Sequence, residues 1–448
     1  MILKHIGLEK INGPLIVVKG ISEVSFDELV QIEMGSGEMR MGNVVYIDEE
    51  FCIAQVFEGT RGLSPKDTQT RFLGKALEIE LSEKMLGRVF DGVSRPIDGL
   101  GEIYSDIKRD INGSPINPVA RKYPRDYIET GISTIDALTT LIRGQKLPIF
   151  SANGLPHNEL AEQIIRQANI KDEDNPNFAI VFGIMGIEYE TASFFKKSFE
   201  NSGVLERVVM FQNLSSDPIV ERILTPRVAL TTAEYLAFDL GYHVLVLLSD
   251  MTSYAEALRE ISSLKGEIPS RKGYPGYLYS DLSSIYERAG RIEGRPGSIT
   301  QIPILSMPND DISHPIPDLT GYITEGQIVL DRELVNKSIY PPVSILPSLS
   351  RLMKDGTGEG FTRADHPDIA NQLFSSYSKV QDVRSLASVI GEDDLSDTDK
   401  LYMKFGNEFE EKFVSQGKDT KRTMNETLDL GLEVLKVLPP EELDRLNR

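Results

Sequence analysis

The chain has 448 residues, 40% of them apolar, with 24 prolines and 36 glycines. That is too long for one ordinary hydrophobic core, so a globular protein of two or three domains is expected. A formal charge of -20, from 68 acidic against 48 basic residues, would repel a polyanion over most of the surface, which argues against nucleic acid as a partner.

Residues 1–71 alternate short β-branched runs with turns ("GPLIVV", "NVVYI", "FCIAQVF"), the spacing of a small antiparallel β-barrel. The sole cysteine, Cys52, lies in the last of these runs. It reads as a buried small hydrophobe rather than a reactive thiol, and it leaves no internal disulfide and no multi-cysteine metal site. The opening "MILKHIGLEKINGPLIVV" is punctuated by charges, and no window of about 18 apolar residues occurs along the chain. Neither a signal peptide nor a spanning helix is expected, so any membrane attachment would be indirect, through other proteins. Residues 72–125, rich in Gly, Pro and Asp ("LGRVFDGVSRPIDGLG"), read as a connecting region with few regular elements.

From about residue 130 the period changes. Apolar runs begin at Leu147, Phe178, Arg207, His243 and Ser298, with helical patterns between most of them. Near-continuous apolar strands alternating with helices predict a mainly parallel sheet covered on both faces, within a central α/β domain over 72–347. Past about 350 the strand signal fades. Leu401, Phe405, Phe409 and Phe413 recur four apart, and "ETLDLGLEVLKVL" repeats the pattern, which predicts a helical C-terminal domain over 348–448.

The stretch "LPIFSANGLPHNELAEQIIRQ" reads as strand, tight turn and helix, the local shape of the phosphate loop G-x-x-x-x-G-K-[ST]. Leu160, Ala161, Ile164, Ile165 and Ala168 mark one face of the helix, and the turn falls at the carboxyl end of its strand, where ligands of such sheets bind. The gripping residues are gone. Ser151 and Pro156 stand where the glycines belong, Gly154 is left inside the turn, and His157 and Asn158 replace the lysine and the hydroxyl. Pro156 has no N–H to give, His157 is shorter than lysine and mostly neutral at pH 7, and Asn158 is a poor magnesium ligand. Glu159 and Glu162 are expected to fill the helix's first turn, where they complement its dipole and repel phosphate. Losing one charge-assisted contact costs 10- to 150-fold in affinity at roughly 1.5 to 3 kcal/mol, so nucleotide should bind weakly here.

Other catalytic parts are thin. Asp250 closes the strand "HVLVLLSD", where either a magnesium-ordering acid or a helix cap would stand. Glu188 and Glu190 follow the strand "FAIVFGI", where a general base or merely solvated acids would stand. Five histidines provide no His/Ser/Asp set and no metal-ligand cluster.

Segments spread nearly end to end strongly resemble the B subunit, the non-catalytic nucleotide-fold subunit, of V-type and archaeal A-type rotary ATPases. They include "GRVFDGVSRPIDG", "ETGISTIDALTTLIRGQKLPIFSANGLPHNELAEQI", "DMTSYAEALREIS", "YERAGRIEGRPGSITQIPIL", "MPNDDISHPIPDLTGYITEGQI" and "YPPVSILPSLSRLMKDG". "SANGLPHNE" is the most diagnostic, because catalytic relatives keep G-K-T there. The resemblance implies an N-terminal β-barrel, a central nucleotide-binding fold and a helical C-terminal domain. It also implies a hexameric ring alternating with catalytic A subunits around a central rotor, with peripheral stalk subunits, on the cytoplasmic side of a membrane.

The same resemblance implies that ATP or ADP with magnesium sits at the interface with the A subunit, and that this chain binds none strongly alone. It assigns Arg351, with Ser350 before it, to that nucleotide as an arginine acting in trans, where without it an arginine after a Pro/Ser-rich loop reads as a surface ion pair. Ile187 stands where catalytic relatives carry their base glutamate. Residues 273–290 resemble the inner loop facing rotor or neighbour, though their tyrosines read equally well as core, and the acidic 391–400 resembles a rotor-contacting turn, or a solvated loop. The competing readings are a self-sufficient ring NTPase of the secretion-ATPase type, which would need the missing lysine and hydroxyl, and a helicase, which the acidic charge disfavours.

Overall fold

The structure, a computed structural model, describes residues 3–21, 23–113, 115–170 and 177–446. The N-terminal unit is a seven-stranded antiparallel sheet in which the strand Leu15–Lys19 pairs with Phe51–Val56 and Gln69–Phe72 lies between Leu3–Ile6 and Leu29–Glu33. Its residues alternate in and out, and the inward set, including Ile16, Val18, Val30, Ile32, Val44 and Ala54, makes one core. Cys52 belongs to that core, and burial pushes its thiol up to about 11. The sheet matches the expected barrel strands.

The central sheet runs, in spatial order, Val343–Ser350, Gly326–Leu330, Ile149–Ala152, Ser298–Met307, His243–Ser249, Phe178–Ile187, Val208–Leu214 and Val89–Asp91. Every pairing along this row is parallel except the first, where Val343–Ser350 runs antiparallel to Gly326–Leu330. Val89–Asp91 is one of the few regular elements among the described residues of 72–125. It lies inside the stretch read as a connector, yet its three residues add a parallel edge strand beside Val208–Leu214.

Both faces of the sheet are covered, as the continuous apolar strands require. Along Phe178–Ile187, the side chains of Ile180, Phe182 and Ile184 join Leu160, Ile164 and Phe195 on one side, while Val181 and Met185 join Val228 and Leu258 on the other. The first side carries the helices His157–Gln167 and Tyr189–Ser202, the second Ile219–Glu234 and Met251–Lys265.

The C-terminal unit is helical: His366–Ile390, Asp397–Glu408, a π turn over Phe409–Val414, and Met424–Leu435. Phe405, Phe409 and Phe413 stack in a ladder with ring centroids 5.7 and 5.1 Å apart, each pair worth about 0.5–1.5 kcal/mol beyond area burial. Thr423 and Glu426 form a reciprocal capping box that starts the last helix. The unit is fastened to the central domain by His366, whose Nε2 lies 2.9 Å from the Ala137 carbonyl, and by Gln416, which accepts from the Ser133 N–H at 2.9 Å.

Candidate functional site

The turn after Ile149–Ala152 keeps the outline of a phosphate loop and has closed on itself. The Leu155 N–H donates to the Ala152 carbonyl at 3.1 Å and the His157 N–H to the Leu155 carbonyl at 2.9 Å, so both donors point inward. Pro156 sits at the helix N-cap, with no N–H, and Gly154 takes φ +80° in the exposed turn. The buried Ser151 hydroxyl lies 2.9 Å from His157 Nδ1, which holds the imidazole against the strand. Asn158 buries its side-chain oxygen with no partner among the described residues.

Charge at this turn is also committed. Arg332, two residues beyond Gly326–Leu330, donates to the Asn153 carbonyl at 2.9 Å and grips Asp310 with two bonds of 2.9 and 3.0 Å. Sequence reasoning did not mark Arg332; the available signal was its place just past the carboxyl end of a strand paired with the loop strand. Glu159 occupies the first helical turn, with Lys418 3.3 Å away. Glu162, expected in the first turn as well, instead lies beyond it, buried against the Ser198 hydroxyl and Arg166, so it does not face an anion there. With no lysine, no hydroxyl ligand, a proline at the helix N-cap and the Leu155 and His157 N–H groups turned inward, the turn does not fit a magnesium triphosphate. Among the described residues no group of three His, Cys, Asp or Glu could hold a metal ion.

Asp250 is a helix cap. Its carboxylate accepts from the Thr252 N–H at 2.7 Å and the Ser306 N–H at 3.2 Å, tying the start of Met251–Lys265 to the neighbouring strand. Glu188 precedes the helix Tyr189–Ser202 and Glu190 lies in its first turn, both exposed, while Ile187 ends the preceding strand.

Arg351 stands at the other end of the sheet. Because Val343–Ser350 runs backwards, Ser350 pairs with Gly326, the first residue of its neighbouring strand, whereas the phosphate-loop turn follows the last residue of its own strand. At about 3.3 Å per residue the two features are separated along the strands by something on the order of 15 Å. The Arg351 side chain is exposed, and its guanidinium has no ion-pair or hydrogen-bond partner among the described residues. Ser350 is inward: its hydroxyl donates to the Thr140 carbonyl at 3.0 Å and accepts from Gln145 Nε2 at 2.9 Å. The structure thus brings Ser151, Gly154, Pro156, His157 and Asn158 together and leaves Arg351 and Ser350 apart from them.

In the 273–290 loop the tyrosines divide. Tyr274 and Tyr286 are core, Tyr274 donating to Glu256, while Tyr277 and Tyr279 are 37% and 49% exposed. The acidic stretch at 391–400 is an exposed turn anchored by buried Leu395, with Ser396 capping the next helix.

Comparison with known proteins fits this architecture. Residues 9–74 match the β-barrel domain of the ATP synthase alpha/beta family, 131–350 its nucleotide-binding domain, and 355–448 the C-terminal domain of V and A type ATP synthase. The V-type ATP synthase beta chain 2 of Clostridium tetani is 62% identical over 99% of this chain and 97% of its own length. The A-type ATP synthase B subunit of Aeropyrum pernix is 57% identical over 97% of this chain and 94% of its own. The solved structure of the ATP synthase subunit NeqB from Nanoarcheaum equitans superposes with a TM-score of 0.75 at 39% identity, covering 94% of this chain and 98% of that one. With an N-terminal β-barrel, a central nucleotide-binding domain and a helical C-terminal domain, this chain belongs to the beta-chain, or B-subunit, family of V-type and A-type ATP synthases.

Proposed function

We propose that the chain is the non-catalytic, regulatory B subunit of a rotary ATP synthase or ATPase. It alternates with catalytic A subunits in a hexameric ring and extends Arg351 into the neighbour's ATP site. The observation that carries this reading is the position of Arg351, which is exposed, unpaired within the described residues, and at the opposite edge of the sheet from the chain's own turn. A cation without a partner among the described residues is free to serve a ligand from outside the chain.

ATP or ADP with magnesium would be held by the A subunit's residues, and this chain would supply a single donor group. Guanidinium suits that role because it stays charged and its planar fork reaches two phosphate oxygens at once. An arginine placed this way acts where charge builds on the transferring phosphoryl group, which is worth about 10³ to 10⁵ in rate. Through the ring, the central rotor and the peripheral stalk, the chain couples ATP synthesis or hydrolysis to ion transport. It sits on the cytoplasmic face of the membrane, held there by other subunits; among the described residues no helix is long and apolar enough to cross one. The self-sufficient NTPase is disfavoured by the committed turn donors and by Ile187, which cannot orient water.

The test is Arg351→Ala in a ring reconstituted with the A subunit. The ring is expected to assemble and to lose all but about one part in 10³ to 10⁵ of its ATPase turnover. An assembled mutant ring with near-native turnover refutes the proposal, as does magnesium-dependent ATP hydrolysis by the purified chain alone.

A further inference from the structure

Arg351 is exposed, but the backbone it springs from is held from several sides. Its N–H donates to the Glu325 carbonyl at 2.9 Å, and the same carbonyl accepts from Gln145 Nε2 at 3.2 Å. Gln145, fully buried, also donates to the Ser350 hydroxyl, so one amide spans both strand ends at the point where the arginine emerges. The Glu325 carboxylate is pinned in turn: one oxygen accepts from the Lys146 N–H at 2.8 Å, the other lies 2.7 Å from Lys146 Nζ. The Lys146 ammonium, on a side chain only 6% exposed, also reaches Glu287 at 3.1 Å. Gly326 lets the strands close to this distance, since a Cβ there would stand 2.2 Å from the Leu349 carbonyl oxygen.

A buried lysine between two carboxylates is costly to desolvate, and replacing it with apolar packing would serve stability as well. What such a group provides is geometry: the start of one strand is locked to the end of the next from the side chain as well as the ladder. We infer that Gln145, Lys146 and Glu325 form a positioning clamp that sets the direction in which Arg351 leaves the sheet, and so its alignment with a phosphate held by the neighbouring subunit. The inference rests on the trans role proposed above. None of the three clamp residues touches nucleotide; each acts through Arg351. Misplacing a reacting group by about 1 Å costs on the order of 10²-fold, so a loosened clamp should be felt in turnover rather than in binding.

The experiment is Glu325→Gln in the reconstituted ring, which keeps the backbone carbonyl and removes the charge that Lys146 holds, made both in the native background and with Arg351→Ala. In the native background kcat is expected to fall about 10- to 100-fold with KM for ATP changed less than about twofold. In the Arg351→Ala background, with residual turnover read in single-turnover mode, the same substitution is expected to change the rate less than about twofold, because the clamp has nothing left to position. A kcat within twofold of native, or an equal loss in both backgrounds, overturns the clamp. Normal turnover by Arg351→Ala alone overturns the trans role itself and is thereby distinguished. Should Glu325→Gln fail to assemble, Gln145→Leu carries the same comparison.

Discussion

The arginines at opposite ends of the central sheet differ sharply in their surroundings. At the carboxyl edge Arg332 is gripped by both oxygens of Asp310, and Arg95 is shared among Glu58, Asp91 and Glu221 at 3.2, 2.9 and 2.9 Å. At the amino edge Arg351 has no carboxylate partner among the described residues, while the chain beneath it is clamped. A paired guanidinium is largely spent, since its donors and charge are already satisfied; an unpaired one keeps both for a ligand from outside. In the proposed reading, then, the edge that resembles a nucleotide site is the inert one, and the edge that carries Arg351 supplies the chemistry.

The contrast can be broken or sharpened by substitution. Arg351→Lys keeps the charge and gives up the fork, so the assembled ring should lose 10- to 150-fold in kcat, for one lost charge-assisted bond of about 1.5–3 kcal/mol. A steady-state ATPase assay checks it, and native turnover would mean that charge alone suffices. A smaller effect is expected from rebuilding the carboxyl edge with Pro156→Gly, His157→Lys and Asn158→Thr together. Nucleotide affinity of the isolated chain, read by titration calorimetry, should rise by about tenfold, the low end of one regained charged contact, since Glu159 still opposes an anion. ATP hydrolysis should stay absent, because Ile187 offers no base. Appearance of turnover would show that the turn was the only missing part.

The smallest effect concerns the crowd around Arg95. Burial, reinforced by Asp91, pushes the Glu221 carboxyl up to about 7, against 4.5 when unperturbed. A carboxyl raised in the folded state binds its proton more tightly there than in the unfolded chain, so its contribution falls as pH rises from about 4.5 through 7. Glu221→Gln should remove that slope. Melting curves of native and variant chains should diverge between pH 5 and 7.5 by roughly 2 °C, the variant being the flatter. Parallel curves would place the pH dependence elsewhere.

Much of this contrast was legible in the residues. Five central strands announced themselves as apolar runs, and the turn as a phosphate loop whose gripping positions had changed, while Gly326–Leu330 and Val343–Ser350 were not among those runs. Val89–Asp91 escaped because three residues amid Gly and Pro carry no periodicity; its strand character comes only from the partner beside it. Arg332 and Asp310, or Lys146 and Glu325, lie 22 and 179 residues apart, and ionic and polar pairing at such separations leaves no local pattern. The loop tyrosines split for the same reason: Tyr274 is fixed by Glu256 on the helix Met251–Lys265, whereas Tyr279 is half exposed. What the resemblance to a known family added was the role proposed for Arg351, which no spacing rule would have separated from an ordinary surface arginine.

The reversed edge strand also works as a gauge. Val343–Ser350 has eight residues, and its length decides how far past the start of its neighbour the chain has travelled when Arg351 appears. Deleting one residue would pull the arginine back by about 3.3 Å and, because side chains alternate, turn it to the opposite face. Protrusion and facing are therefore dosed together by a single count, which leaves insertions and deletions in this strand far less room than substitutions.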